Sequence, residues 1–403
     1  MLCPARKARL GVLAALGSCV VLASLPVFSQ RKPKTKGGRT HETAQGVLDL
    51  YEAETVHFSA PPPVAVLAGI KCDLNGNIYA NYTGYLPVVP GRPGYSSIGR
   101  APLSEILVRS KKVVQYPLPT ISDYSNLIRY SFDVTGDGDV YALVDAAHSE
   151  SDAKPKGEFL IVKYNHDGTM DSYVKIGDMA GTRIQPWRMA VFGDGSFLLS
   201  GLTIGRNRKG FSGIFDRQGT FVAPLKLGEA FPHTDGPPGA AGTVTKAAKK
   251  APGSAGEQSQ EAEAVTLAGS TYSVSSPDGN VYLIRGRQAP TLYGVSPAGY
   301  VVRTFRLKPP APGLSPLQLA TAGLGYLFIY WAHIATGAPG ENVHQRGMIT
   351  VLNPETGRLT ALYRMPESKA GLVVPACADS PGDFLFLGTS KDNRLAVVRY
   401  VAR

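Results

Sequence analysis

Aromatic and basic side chains gather in the polar stretches of this 403-residue chain. Tyr124, Arg129, His148, Trp187, Arg188, Trp331, His333, His344 and Arg346 stand in or beside "ISDYSNLIRY", "DAAHSESDAKPKG", "GTRIQPWR" and "HIATGAPGENVHQR", and Tyr85, Arg92, Tyr95 and Arg206 extend the set. Guanidinium groups fork onto carboxylates, and aromatic rings offer flat contact area at little entropic cost. Together they suit a carboxylate-bearing or sugar-like ligand, or a protein partner. Hydrolytic chemistry has thinner support. No GxSxG elbow occurs, and no Ser/His/Asp set can be nominated from spacing. Asp73, Asp133 and Asp379 fall near turns, where each can equally cap its own backbone. In "DVTGDGDVYALVD", Asp133, Thr135, Asp137, Gly138 and Asp139 match positions 1, 3, 5, 6 and 7 of a calcium loop, but the bidentate acid needed at position 12 is Val144. A hairpin turn is the better account. No CxxC or Cys/His grouping with zinc spacing is present. The expectation is a binding surface with no catalytic residue, metal or cofactor.

The elements that must carry these side chains are repeated. Glycine-bearing turns followed by an apolar run recur at Gly76, Gly138, Gly195, Gly279, Gly325 and Gly382, as in "CDLNGNIYAN" and "SSPDGNVYLIRG". Their spacings are 46 to 62 residues, apart from one of 84 that contains a Gly/Ala/Pro/Lys/Glu-rich insertion at about 228–264. That insertion lacks periodic apolar residues and is expected to be disordered. A second turn in each unit, at Gly168, Gly219, Gly299 and Gly357, separates two more short strands. Four strands per unit is the composition of a propeller blade. The runs after the first turn ("VYALV", "FLLS", "VYLI", "FLFL") are continuously apolar, as befits strands buried on both faces.

The expected fold is therefore all-β, a six-bladed propeller of four-stranded antiparallel blades. The last unit lacks an outermost strand, and a strand at 55–59 precedes the first unit. Pairing the two closes the ring without a loose edge. The phrases "DLNGNIYANYTG", "DVTGDGDVYALVD" and "SPDGNVYLIRG" resemble the six-bladed NHL-repeat and TolB-like propellers, over about residues 50–403. Such folds host binding modules, lyases and lactonases alike, and this chain has no match to the early Glu-Gly-Pro of the lactonase type. The loops within and between blades are long on one predicted face and tight on the other. Since loops carry function on a rigid scaffold, the long-loop face is the expected binding face.

The first 29 residues read as an export signal, with basic "ARKAR" before an apolar run. An uncleaved anchor, or lipidation at Cys19 in "LGSC", are the alternatives. Three of the eleven excess positive charges lie in this segment, and five more lie in "RKPKTKGGR". The body is thus nearly balanced. Residues 30–50 read as a flexible basic linker able to meet an anionic envelope surface, and 51–403 as the propeller. Nucleic acid is disfavoured, and no transmembrane span is expected once the signal is removed. Cys72 and Cys377 are expected as buried free thiols, because innermost strands of adjacent blades diverge and their offsets from the turn glycine differ by one. A disulfide closing the ring is the alternative. The reading is an exported binding or scaffolding module of the periplasm or cell exterior. Its alternative is a lactonase-like or other hydrolase at the channel mouth.

Overall fold

The structure, a computed structural model, describes residues 46–60, 69–81, 102–148, 157–205, 208–225, 227, 273–286, 289–321, 325–333, 347–365, 374–390, 392 and 394–403. The signal-like segment, the basic tail and the 228–264 insertion lie outside these residues, as do Tyr85, Arg92, Tyr95, Arg206, His344 and Arg346.

All regular structure among the described residues is β. Strand β1 (Leu48–His57) comes first. One four-stranded sheet follows, of β2 (Ile70–Cys72), β3 (Ile78–Asn81), β4 (Leu103–Leu107) and β5 (Lys112–Tyr116). A second contains β6 (Tyr124–Val134), β7 (Val140–His148), β8 (Glu158–Tyr164) and β9 (Met170–Lys175). The third is β10 (Ile184–Val191), β11 (Phe197–Thr203), β12 (Gly210–Phe215) and β13 (Phe221–Pro224). The fourth is β14 (Ser273–Ser275), β15 (Val281–Arg285), β16 (Thr291–Val295) and β17 (Val301–Arg306). The remaining strands are β18 (Leu314–Thr321), β19 (Leu327–His333), β20 (Met348–Leu352), β21 (Leu359–Arg364), β22 (Val374–Ser380), β23 (Asp383–Thr389) and β24 (Leu395–Ala402).

These last seven do not form two separate sheets. Strand β1 pairs antiparallel with β24 over most of its length, as the sequence led one to expect, but it begins seven residues earlier than 55. Its extra N-terminal end also pairs in parallel with β21, at Leu48–Tyr363 and Asp49–Arg364. The result is one eight-stranded sheet ordered β18-β19-β20-β21-β1-β24-β23-β22. Two residues of parallel pairing fuse what the repeat alone counts as two units.

The arrangement is propeller-like. Innermost strands touch in chain order from β2 through β6, β10, β14, β18 and β22, and β22 returns to β2. Apolar clusters fill each junction. One joins Tyr79 and Tyr116 to Phe132 and Val140, and another joins Leu143 and Ile161 to Met189 and Phe197. The junction of the first and last parts of the chain packs Val56, Ile70 and Ile78 against Leu385 and Val397. Burial falls outward along each sheet. Strand β11 is buried through Gly201, whereas β13 alternates half-buried and exposed residues. The six turn glycines all take the left-handed conformation, with φ between 78° and 91°, which L side chains rarely adopt.

Free thiols at Cys72 and Cys377 are corrected by the structure, in which the two residues form a disulfide with Cα atoms 5.7 Å apart. The one-residue difference in offset does not turn the side chains apart. The β22–β23 register is interrupted between Pro375 and Cys377 and again between Ala378 and Ser380, so the bulged strand re-aims Cys377 toward β2. The bond bridges a sequence separation of 305 residues. Closing so long a loop restricts the unfolded chain, and replacing both cysteines by alanine should lower unfolding free energy by about 3–5 kcal/mol. Denaturant titration of oxidised, reduced and doubly substituted protein checks this. Equal midpoints for all three would remove the bond from the account of stability.

Candidate functional site

The axis of the structure is occupied by charge. Lys71 of β2 and Asp133 of β6 are 5% and 0% exposed, and Nζ lies 2.9 Å from Oδ1, an ion pair without the alignment of a hydrogen bond. The ammonium donates to the Ser273 carbonyl oxygen at 2.7 Å. Oδ2 of Asp133 accepts the Val191 N–H at 2.8 Å and the Ser275 hydroxyl at 3.3 Å, and that hydroxyl also contacts the Val191 carbonyl. Two side chains therefore bind together the innermost strands of four sheets. Lys71 escaped the sequence reading, although a signal was present. Lys71 and Asp133 each stand five residues before their turn glycine, so opposite charges occupy equivalent places in successive repeats. Asp73, by contrast, does what a turn acid does: its Oδ1 accepts the Asn75 and Asn77 N–H groups, both at 2.9 Å.

A second buried acid was also missed. Glu105 of β4 is 5% exposed and accepts from the Tyr79 hydroxyl at 2.8 Å and the Tyr116 hydroxyl at 2.7 Å. Burial, with the nearby carboxylates, holds both phenols above the ordinary tyrosine range, so they remain donors. Both oxygens of Glu105 thus have partners, and the group braces its sheet.

The side chains picked from the sequence divide into three groups. Trp331 is 1% exposed and donates its indole N–H to the Thr350 hydroxyl at 2.8 Å. Arg129 is 3% exposed and hydrogen-bonds to Tyr164. Burial brings its pKa down from 12.5 to about 10, leaving it cationic at neutral pH. Both belong to the interior, because the strands run further than the loop reading allowed: β19 carries Trp331 and β6 carries Arg129 inward. Trp187 is the bulged residue of β10, between Pro186 and Arg188, and His333 ends β19 beside Gly313.

Of the nominated residues that the structure describes, Tyr124 and His148 are brought together. They face each other across the first pair of the β6–β7 ladder, with ring centroids 4.7 Å apart. Glu158, at the start of β8, completes the group. It accepts the Tyr124 hydroxyl at 2.5 Å, lies 3.1 Å from Lys175 Nζ and sits 3.4 Å from His148 Nε2. The other imidazole nitrogen meets the Asp123 carbonyl oxygen at 3.2 Å. Lys175 also lies over the Tyr124 ring, 5.8 Å from its centroid. This group occupies the end of the second sheet where β7 stops and β8 starts. Tyr124 itself is buried, so what the group presents is the imidazole and the ammonium around an anchored carboxylate, backed by the tyrosine ring. Among the described residues, no group of three or more His, Cys, Asp or Glu is placed to hold a metal ion.

No protein-family profile matches the chain, and no curated protein matches it. Solved structures do. A protein of unknown function from Dyadobacter fermentans DSM 18053 is 9% identical, with a TM-score of 0.49 over 88% of this chain and 99% of that one. A luciferin-regenerating enzyme is 10% identical, with a TM-score of 0.40 over 86% of this chain and 92% of its own. The Penicillium chrysogenum alpha-L-arabinanase, solved with arabinobiose, is 11% identical, with a TM-score of 0.41 over 87% and 98%. None carries a substrate or a residue role across to this chain.

Two outcomes are expected here. Lys71→Met leaves Asp133 buried without its counter-charge and should cost about 3–5 kcal/mol, whereas Lys71→Met with Asp133→Leu should recover much of that loss. Denaturation of the two variants checks it, and equal losses would show that packing, not charge, is at stake. Glu158 is the second case. The Tyr124 hydroxyl, aided by Lys175 and His148, pulls its pKa from 4.5 to about 2 against the opposing effect of burial. A depressed folded-state value means the stabilisation is complete above pH 4.5 and disappears as pH falls toward 2. With the group over a third exposed, the effect is under about 1 kcal/mol. Glu158→Gln should flatten that part of the melting-temperature profile, and an unchanged slope would contradict the assignment.

Proposed function

We propose that this chain is an exported six-bladed β-propeller that serves as a binding module of the cell envelope, taking its partner at the loop-bearing end around Tyr124, His148 and Lys175. Six is the count that treats the eight-stranded sheet as two blades bridged by β1. The innermost strands support it, because six of them touch in a closed series. The export reading draws on the basic-then-apolar start of the sequence. A disulfide, which persists in oxidising compartments, supports it further.

The observation that carries the binding reading is the axial ion pair. A propeller hydrolase of the lactonase kind needs free carboxylate or amide groups converging on the channel. Here the carboxylate on β6 is committed to Lys71, the Val191 N–H and the Ser275 hydroxyl. The channel at that level is filled by the ion pair and its hydrogen-bond partners. What remains accessible is a recognition surface, in which rings and cations can meet a carboxylate-bearing or sugar-like group, or a protein. The basic residues between 31 and 39 would add a salt-dependent attraction to anionic envelope material.

Co-sedimentation of the full chain with envelope fragments from its own cells tests the proposal. Binding should fall roughly ten-fold in Tyr124→Ala with His148→Ala, while deletion of residues 30–40 should remove only the salt-sensitive part. Unaltered binding in the double variant would displace the site from this end. Turnover of lactones or chromogenic glycosides that survives heating controls and is lost on substitution of an axial residue would replace the binding reading with a hydrolytic one.

A further inference from the structure

A cleft of about 400 Å³ opens between the second and third sheets, at the end that carries the tight turns. It lies away from the Tyr124–His148 group, and it includes none of the residues nominated from the loops. Its size falls within the range of small-molecule sites, roughly 300–1,000 Å³. Asp137, Tyr141, Lys163 and Tyr173 come from the second sheet, and Asp194 and Arg217 come from the third.

The walls are ordered by contacts of their own. Lys163 Nζ lies 3.1 Å from Asp139 Oδ2 and 5.7 Å from the centre of the Tyr141 ring. Tyr141 in turn meets Phe197 edge to face, with centroids 5.8 Å apart. Asp194 is fixed by accepting the Ser196 N–H at 2.9 Å and its hydroxyl at 2.6 Å. Arg217 lies along the turn at Gly195. A Cβ there would stand 3.4 Å from its Nε, so the glycine leaves room for the guanidinium to lie flat, and its φ of +83° suits no other residue well.

We infer that this cleft binds a neutral sugar ring. The argument rests on matching chemistry. Three carboxylates face two cations, Asp137, Asp139 and Asp194 against Lys163 and Arg217. A net acidic wall disfavours an anionic ligand, and the two cations disfavour a strongly cationic one. Hydroxyl groups both donate and accept, so a polyol satisfies acids and bases that stand side by side. Tyr141 supplies an aromatic ring against which the C–H face of a pyranose can rest. The site is compact and not groove-like, which favours one or two rings over an extended peptide.

Saturation-transfer NMR on the full chain tests this, with cellobiose, maltose, lactose and chitobiose as probes and glucuronate and tri-alanine beside them. Transfer to ring C–H protons of at least one disaccharide is expected. Arg217→Ala with Asp137→Ala should weaken it roughly ten-fold, the scale of losing charge-assisted hydrogen bonds. Both residues are exposed, so the fold should be retained. Envelope co-sedimentation measured in parallel should not change in this variant. The proposal is overturned if no disaccharide shows transfer or if the variant binds as the parent does. Binding of glucuronate or tri-alanine in place of the sugars overturns it as well. So does a loss of envelope binding together with sugar binding, since the cleft would then not be a separate site.

Discussion

The Lys71–Asp133 ion pair is the constraint on which the rest of the architecture depends. Removing two charges from water is costly, and the attraction between them offsets that cost only when the remaining lone pairs and protons find partners. The backbone of β10 and β14 supplies those partners, through the Val191 N–H and the Ser273 carbonyl, with the Ser275 hydroxyl completing the set. The pair is therefore stable only when four sheets are already in register around it. An apolar axis would pack in many rotations of one sheet against the next. A buried charge pair with three specific partners tolerates one.

That condition passes outward. Once the inner strands are fixed, the second strands meet neighbouring sheets on both faces, which is why β11 and β19 are buried along nearly their whole length. The outer strands have only one neighbour and remain partly wet, as in β9 and β17. The tyrosine that opens the second strand shows how one scaffold position acquires different chemistry. In the first sheet, Tyr79 donates to Glu105; in the fourth, Tyr282 donates to Asp278, which also accepts from Arg303 at 2.6 Å. The repeat holds the phenol in place, and each sheet surrounds it differently.

Much of this was legible in the sequence for a local reason. A turn that needs a left-handed residue advertises itself as glycine, and a strand buried on both faces advertises itself as an unbroken apolar run. Strand order, the hairpins and the pairing of β1 with β24 follow from those two signals. Side-chain fates were less legible, because they depend on where a strand stops. Trp331 and Arg129 were read as loop residues, and the strands simply continue through them. The disulfide depended on a bulge in β22 that leaves no mark in composition. Tyr124 and His148 were nominated singly, and the β6–β7 ladder sets them side by side, whereas Glu158, which organises them, begins the next strand and has no distinguishing neighbour in the sequence.

Strand β1 has a consequence for how the chain reaches this state. It is the first strand made, and its antiparallel partner β24 is the last. Until residues 395–402 exist, the earliest strand has only two residues of parallel pairing with β21 to join, and its long antiparallel partner is missing. Every nascent chain short of β24 is therefore topologically open, and the final registration waits until β24 has emerged. Long-range pairing of this kind is intrinsically slow and leaves the unclosed chain exposed to aggregation. A polypeptide that cannot close early stays threadable, and β1 and β24 together act as a timer that starts only when β24 is free.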